Sequence, residues 1–142
     1  MAQEITVQSS IEAPLDLVWK CYTEPEHVMR WNAASDDWHT PQAKNDLRPD
    51  GTFVYRMEAK DGSVGFDFGG TYTAVEQHER IAYVMDDGRK VEVHFVQNGP
   101  MTNVTVRFDP EQINARDMQQ KGWQAILDNF KRYVEGLSSD VS

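Results

Sequence analysis

The sequence predicts an α+β fold: a curved antiparallel sheet of six or seven strands wrapped around one long C-terminal helix, with two short helices after the first strand. Three observations predict it. From Asn114 to Leu137, the apolar residues Trp123, Ile126, Leu127, Phe130, Tyr133, Val134 and Leu137 recur three or four apart, with Gln124, Asp128, Lys131, Arg132 and Glu135 opposite them. Upstream runs alternate apolar and polar residues, the period of strands that bury one face. Between those runs stand Asp50-Gly51, Asp61-Gly62, Asp87-Gly88 and Asn98-Gly99, pairs that tolerate the positive φ of tight hairpin turns. The helix stripe needs burial and the one-sided strands need a cover, so each satisfies the other.

The elements follow in order. Met1 to Ile11 reads as a strand, with Ile5, Val7, Ser9 and Ile11 on one face. Pro14 starts a helix carrying Leu15, Val18, Trp19 and Tyr22, because proline suits a first turn whose amide protons lack helical partners. Thr23 and Glu26 have capping-box spacing around Pro25, which predicts a second short helix with Val28, Met29 and Trp31. From Asn32 to Asp50 the chain is polar, anchored by Trp38 and Leu47, with a weak strand within it. Strands then run over Thr52 to Lys60, Val64 to Glu76, Arg80 to Met85, Lys90 to Gln97 and Met101 to Asp109, the last three Asx-Gly pairs reading as consecutive hairpin tips.

Parity assigns one inward set to each strand: Phe53, Tyr55 and Met57; Phe66, Phe68, Gly70 and Tyr72; Ile81, Tyr83 and Met85; Val91, Val93 and Phe95; Val104, Val106 and Phe108. Gly69-Gly70 inside a long strand marks a bulge or sharp bend that curls the sheet. A parity slip there would turn Thr71 or Thr73 inward in place of Tyr72.

A length of 142 residues suits one domain, 1–142, with a core that needs no disulfide. No secretory signal or bilayer-length apolar run is visible, and Cys21 is the single cysteine, which together point to the cytoplasm. Twenty-three acidic residues against fourteen Lys and Arg give a net charge of −9, which argues against nucleic acid and anionic membranes as partners.

The order of elements resembles the helix-grip fold of the START-like (SRPBCC) superfamily. Within it the chain is similar to the family named after the C-terminal domain of the activator of the heat-shock protein 90 ATPase. The matching residues are Ala13-Pro14 with Val18-Trp19, Thr23 to Glu26 with Arg30-Trp31, Leu47 to Phe53, Gly70-Thr71-Tyr72, Gly122-Trp123-Gln124 and Ile126-Leu127. Where that family has two glycines before the strand at Phe53, this chain has Asp50-Gly51. The resemblance implies a hydrophobic cavity between sheet and final helix, reached near the helical pair and neighbouring loops.

Candidate ligand-binding residues are therefore Trp31, Phe53, Tyr55, Met57, Phe68, Tyr72, Tyr83, Trp123, Ile126, Leu127 and Phe130, with plain core packing as the alternative. A small hydrophobic molecule is the expected partner. Three inward phenols, Tyr55, Tyr72 and Tyr83, each require an internal hydrogen-bond partner, water or a polar ligand group. Arg48 and Arg56 are rim candidates for an anionic head, although Arg56 alternates away from Tyr55. His27, His39, His78 and His94 lack close metal-ligand spacing, Asp36, Asp37 and His39 flank a Trp38 that reads as a loop anchor, and no catalytic or cofactor motif occurs. Cys21 reads as a buried filler. Alternative functions are a polyketide-cyclase- or hydrolase-like enzyme using Tyr55, Tyr83 or Glu58, and a chaperone-associated or other protein-binding module. A homodimer through Val54, Val84 and Val96 on the outer sheet face is a further expectation.

Overall fold

The computed structural model describes residues 4–33 and 35–141, with side chains as far as Leu137. In chain order the elements are β1 (Ile5–Ile11), α1 (Leu15–Thr23), α2 (Pro25–Trp31), β2 (Trp38–Asn45), β3 (Thr52–Ala59), β4 (Gly65–Glu76), β5 (Arg80–Met85), β6 (Lys90–Asn98), β7 (Met101–Phe108) and α3 (Arg116–Val141). The part of the expected first strand at residues 1–3 lies outside the described residues. The weak strand predicted after Asn32 is β2.

All seven strands form one curled antiparallel sheet in the order β1-β7-β6-β5-β4-β3-β2. Strands β2 to β7 are a meander, while β1 pairs with β7, setting Ile5 opposite Phe108 and Val7 opposite Val106. The α1–α2 pair carries the chain from one sheet edge to the other. Together with α3 it covers the concave face, giving the α+β helix-grip architecture. Inward residues of β3, β5, β6 and β7 follow the predicted parity and are buried with Leu127, Phe130 and Val134 of α3.

Three local readings change. Thr23 does not cap α2: its Oγ1 donates to the Trp19 carbonyl at 2.9 Å, closing the last turn of α1, while Glu24 takes the N-cap position and Pro25 the first turn. Pro14 likewise precedes α1 with an extended backbone instead of lying within it. The three late hairpin tips are not consecutive, because β4 and β5 join through a turn in which His78, with φ 65°, takes the left-handed conformation usually left to glycine or asparagine.

The irregularity in β4 also lies two residues beyond the glycines, between Tyr72 and Ala74, so Tyr72 keeps its inward parity. Gly69 and Gly70 serve close approach. A Cβ on Gly70 would stand 2.5 Å from the Val84 carbonyl oxygen, and one on Gly69 would stand 2.7 Å from that of Phe53. Phe66, assigned to the inward set, is 47% exposed because the first residues of β4 run past the helices that cover the sheet.

Helix α3 runs beside the free edge of β1 in the same direction. Arg116, Gln120 and Gln124 donate to the backbone carbonyls of Glu4, Thr6 and Gln8 at 2.7, 3.4 and 3.1 Å. Four helical residues rise about 6 Å and two strand residues about 6.7 Å, so one i, i+4 row can meet alternate carbonyls. An edge strand that would otherwise offer unpaired carbonyls is thereby covered.

Candidate functional site

The curl of the sheet and the three helices enclose a cavity of about 290 Å³. At about 30 Å³ per water in the liquid, it matches roughly ten water molecules, the lower end of ligand-sized clefts. The floor is centred on Phe53, whose ring lies 5.0 Å from Tyr55, 5.3 Å from Tyr72, 4.8 Å from Tyr83 and 5.8 Å from Phe68 between centroids. Alternation along β3 and its register with β4 and β5 put these rings on one face.

Trp123, Ile126 and Leu127 of α3 form the roof. Trp123 is held flat on Phe108, centroids 3.9 Å apart and planes within 12°, and meets the Phe68 ring edge-on at 6.0 Å. Tyr22, Thr23, Trp31 and Asn32 of the helical pair make the end wall. There the Trp31 indole donates to the Cys21 carbonyl at 2.8 Å, fixing α2 to α1, and its ring stacks on Tyr22 at 5.3 Å.

Every predicted ligand-binding residue except Phe130 lines this cavity. Phe130 is fully buried behind the wall, 4.7 Å from Trp31 and 5.3 Å from Tyr22 between ring centroids, and supports both. Val7, Ile81 and Val106 also line it, as their inward parity implies. Sequence reasoning missed Arg89, Glu111, Gln119, Tyr22, Thr23 and Asn32. Arg89 has the parity of Val91 and Val93, a usable signal hidden by its place in a turn. Glu111 is set by loop geometry, whereas Gln119 lies in α3 one turn before Trp123: its amide accepts from the Glu111 N–H at 2.8 Å and donates to the Asn114 carbonyl at 2.9 Å, fastening the loop to the start of α3.

Thr23, Trp31 and Asn32 of the helical pair are buried, whereas Phe66 is exposed and Arg89 and Glu111 are half-buried. The cavity thus has accessible lining where β4 begins, β5 turns into β6, and the chain enters α3, as well as at the half-buried Tyr22 of α1. Neither predicted rim arginine lines it. Arg48 pairs with Asp46 in solvent, and Arg56, on the outer face, pairs with Glu58 and Asp67. Arg89 lines the cavity and is held by Asp87, Nε to Oδ2 2.8 Å.

Of the cavity phenols, Tyr72 has an internal hydrogen-bond partner. Tyr72 donates to Asn45 Oδ1 at 2.5 Å, and Asn45 Nδ2 donates to the Thr23 carbonyl at 2.6 Å, a polar thread from sheet to helical pair. Burial raises the pKa of Tyr22, Tyr55, Tyr72 and Tyr83, with neighbouring phenols adding to the rise for Tyr22, Tyr55 and Tyr83. All four are neutral hydroxyls at physiological pH. Glu58, named as a cavity acid, alternates with Met57 onto the outer face, where Arg56 Nε donates to it at 2.8 Å.

His39 lies against Glu58 at 4.0 Å, and Trp38, at the start of β2, anchors its segment against Phe66. His94 faces outward to Glu92. Among the described residues one trio, Glu24, Glu26 and His27, brings its ligand-type atoms within 4.8 Å, although the His27 Nδ1 already shares a hydrogen bond with the Tyr133 hydroxyl at 2.6 Å. Cys21 is buried, and its thiol pKa is pushed up to about 11 by burial first and by Glu24 second.

The profile of the Activator of Hsp90 ATPase homolog 1-like protein family matches residues 12–135. The chain belongs to this family. Its fold places it in the START-like superfamily, whose architecture is commonly a ligand-binding one. Among solved structures it is similar to the AHSA1-like protein of Aeromonas hydrophila, with 48% identity, TM-score 0.89, and 94% of this chain and 93% of that one covered. A protein of Cytophaga hutchinsonii shares 50% identity with TM-score 0.81 over 94% and 92% of the two chains. A protein of Nitrosomonas europaea, 18% identical, shares the fold with TM-score 0.82 over 96% and 97%. A search of curated proteins produced no match. Among the described residues of this family member, no helix is long and apolar enough to cross a membrane.

Proposed function

We propose that this chain binds a small, largely apolar molecule of one- or two-ring size between the curled sheet and α3. The observation that supports this is the cavity of about 290 Å³ amid otherwise interlocked aromatic side chains. Protein interiors pack like organic crystals and hold few voids larger than water, so a space of this size with a rim of mixed polarity suits an exchangeable guest. The rigid floor around Phe53 and the tethered Trp123 would present flat apolar surfaces at little ordering cost. Proton-transfer chemistry has weaker support, because the cavity phenols are held neutral and Glu58 lies outside.

A thermal-shift screen of small aromatic and alicyclic compounds tests the proposal. A ligand specific to the native state at a hundred times its Kd stabilises by about 2.7 kcal/mol. The same compounds should lose their effect on Ile126→Trp, which puts a larger side chain into the cavity. Equal stabilisation of wild type and variant would place binding elsewhere, and no stabilisation of the wild type by any compound would remove the proposal.

A further inference from the structure

Asn32 sits where α2 ends, 8% exposed and in the cavity wall. Its backbone is held from several sides. The N–H donates to the Val28 carbonyl at 3.0 Å, and the carbonyl accepts from Thr40 Oγ1 at 2.7 Å. The flanking carbonyls of Trp31 and Ala33 both accept from Asn129 Nδ2 of α3, at 2.8 and 3.4 Å. The carboxamide is thus carried on a fixed base.

Neighbouring polar groups are engaged: Thr23 Oγ1 with the Trp19 carbonyl, the Trp31 indole with the Cys21 carbonyl, and both ends of the Asn45 amide with Thr23 and Tyr72. The Asn32 Nδ2 is the exception. Among the described residues it is the one buried side-chain nitrogen or oxygen without a partner. A buried N–H left unpaired is a standing loss of stability that an apolar residue of similar shape avoids. Its retention in the wall of a cavity suggests that the missing acceptor comes from a guest.

We propose that Asn32 is the hydrogen-bond donor that recognises a neutral acceptor oxygen, such as a ketone, ester or amide carbonyl, on an otherwise apolar ring-bearing ligand. This rests on cavity binding as proposed above and adds the ligand's polar end to it. Neutrality follows from the surroundings. Apart from Arg89, already paired with Asp87, the lining offers no cation to offset the desolvation of an anion.

The test uses two matched probes, 1-tetralone and tetralin, which share a ring system and differ in the carbonyl. Affinities for wild type and Asn32→Leu are measured by NMR titration of the ¹⁵N-labelled full chain. The ratio of the two affinities is compared between proteins, so that the probes' different solubilities cancel. The ketone-over-hydrocarbon ratio should fall at least fivefold in the variant, with tetralin still bound. The wild-type Asn32 side-chain NH₂ resonance should move downfield with the ketone and not with tetralin. Asn32→Ala should reproduce the loss of preference if the leucine variant does not fold.

A purely structural amide would instead lower the denaturation midpoint when replaced and leave the ratio unchanged. An unchanged ratio with both probes bound overturns the role of Asn32 and leaves cavity binding standing. Failure of both probes to bind wild type counts against cavity binding and carries this inference with it.

Discussion

Replacing Phe130 with alanine probes whether α3 is truly clamped over the sheet and helical pair. Phe130 has no exposed surface, and its ring meets Tyr22 and Trp31 edge-on at 5.3 and 4.7 Å. Truncating a fully buried phenylalanine costs about 3–5 kcal/mol, and each lost aromatic pair accounts for about 0.5–1.5 kcal/mol of packing beyond area. A cost near 4 kcal/mol is therefore expected, enough to lower the melting temperature of a chain this size by roughly 10–15 °C. Urea unfolding followed by tryptophan fluorescence and far-UV circular dichroism measures it, coincident curves establishing the two-state condition. Trp123→Ala is the internal comparison. Because Trp123 is only half-buried yet lines the cavity, it should cost less stability than Phe130→Ala and more ligand affinity. A Phe130→Ala loss below about 1 kcal/mol, or the reverse order for the pair, would refute the division between a load-carrying ring behind the wall and a ligand-facing ring in the roof.

Stability should decline as pH rises above about 9, because the unfolded state releases the Cys21 proton near 9.0 while the folded state holds it to about 11. The loss is confined to that window at first and joined above pH 10 by the raised tyrosines; Cys21→Ala should flatten the pH 9–10 segment of the urea midpoint. Gly70→Ala forces a Cβ to within 2.5 Å of the Val84 carbonyl and should cost on the order of 2 kcal/mol, checked by thermal melting; a neutral result would mean that the two strands part easily there. Tyr72→Phe leaves the Asn45 side-chain oxygen without its donor and should cost about 1–2 kcal/mol in urea unfolding, a neutral outcome indicating that the polar thread contributes nothing.

The strands were legible wherever alternation was clean. Arg80–Met85 has the predicted bounds, and Thr52 to Lys60 differs by one residue, because a one-sided sheet writes its register directly into residue parity. The β4–β5 turn was less legible as a glycine turn because His78 supplies the positive φ. The glycine pair in β4 was visible but its cause was not: close backbone approach and a bulge both call for small residues, and only geometry separates them. The apolar lining was largely legible for the same reason as the strands. Its polar members were not: Asn32 and Glu111 reach the cavity through a helix end and a loop, where neither the two-residue nor the helical period applies, and Gln119 stands on the helical stripe four residues before Trp123 but is not apolar.

The face of α3 assigned to solvent by its polarity does more than carry charge. Gln120 and Gln124, with Arg116, bind successive free carbonyls of β1, while Trp123, Ile126 and Leu127 on the adjoining face roof the cavity. The two roles depend on each other. The hydrophobic contacts of the roof are non-directional, whereas hydrogen bonds depend on distance and angle. Directional hydrogen bonds at i, i+4 spacing fix the axial position of the helix against the strand, and Glu135 accepts from the Glu12 N–H at 2.9 Å to fix it again near the other end of β1. With α3 anchored along the edge, the cavity lining is most accessible at Phe66, with Arg89 and Glu111 half-buried. The edge pairing thus does two things at once: it covers unpaired carbonyls and fixes the helix that roofs the cavity.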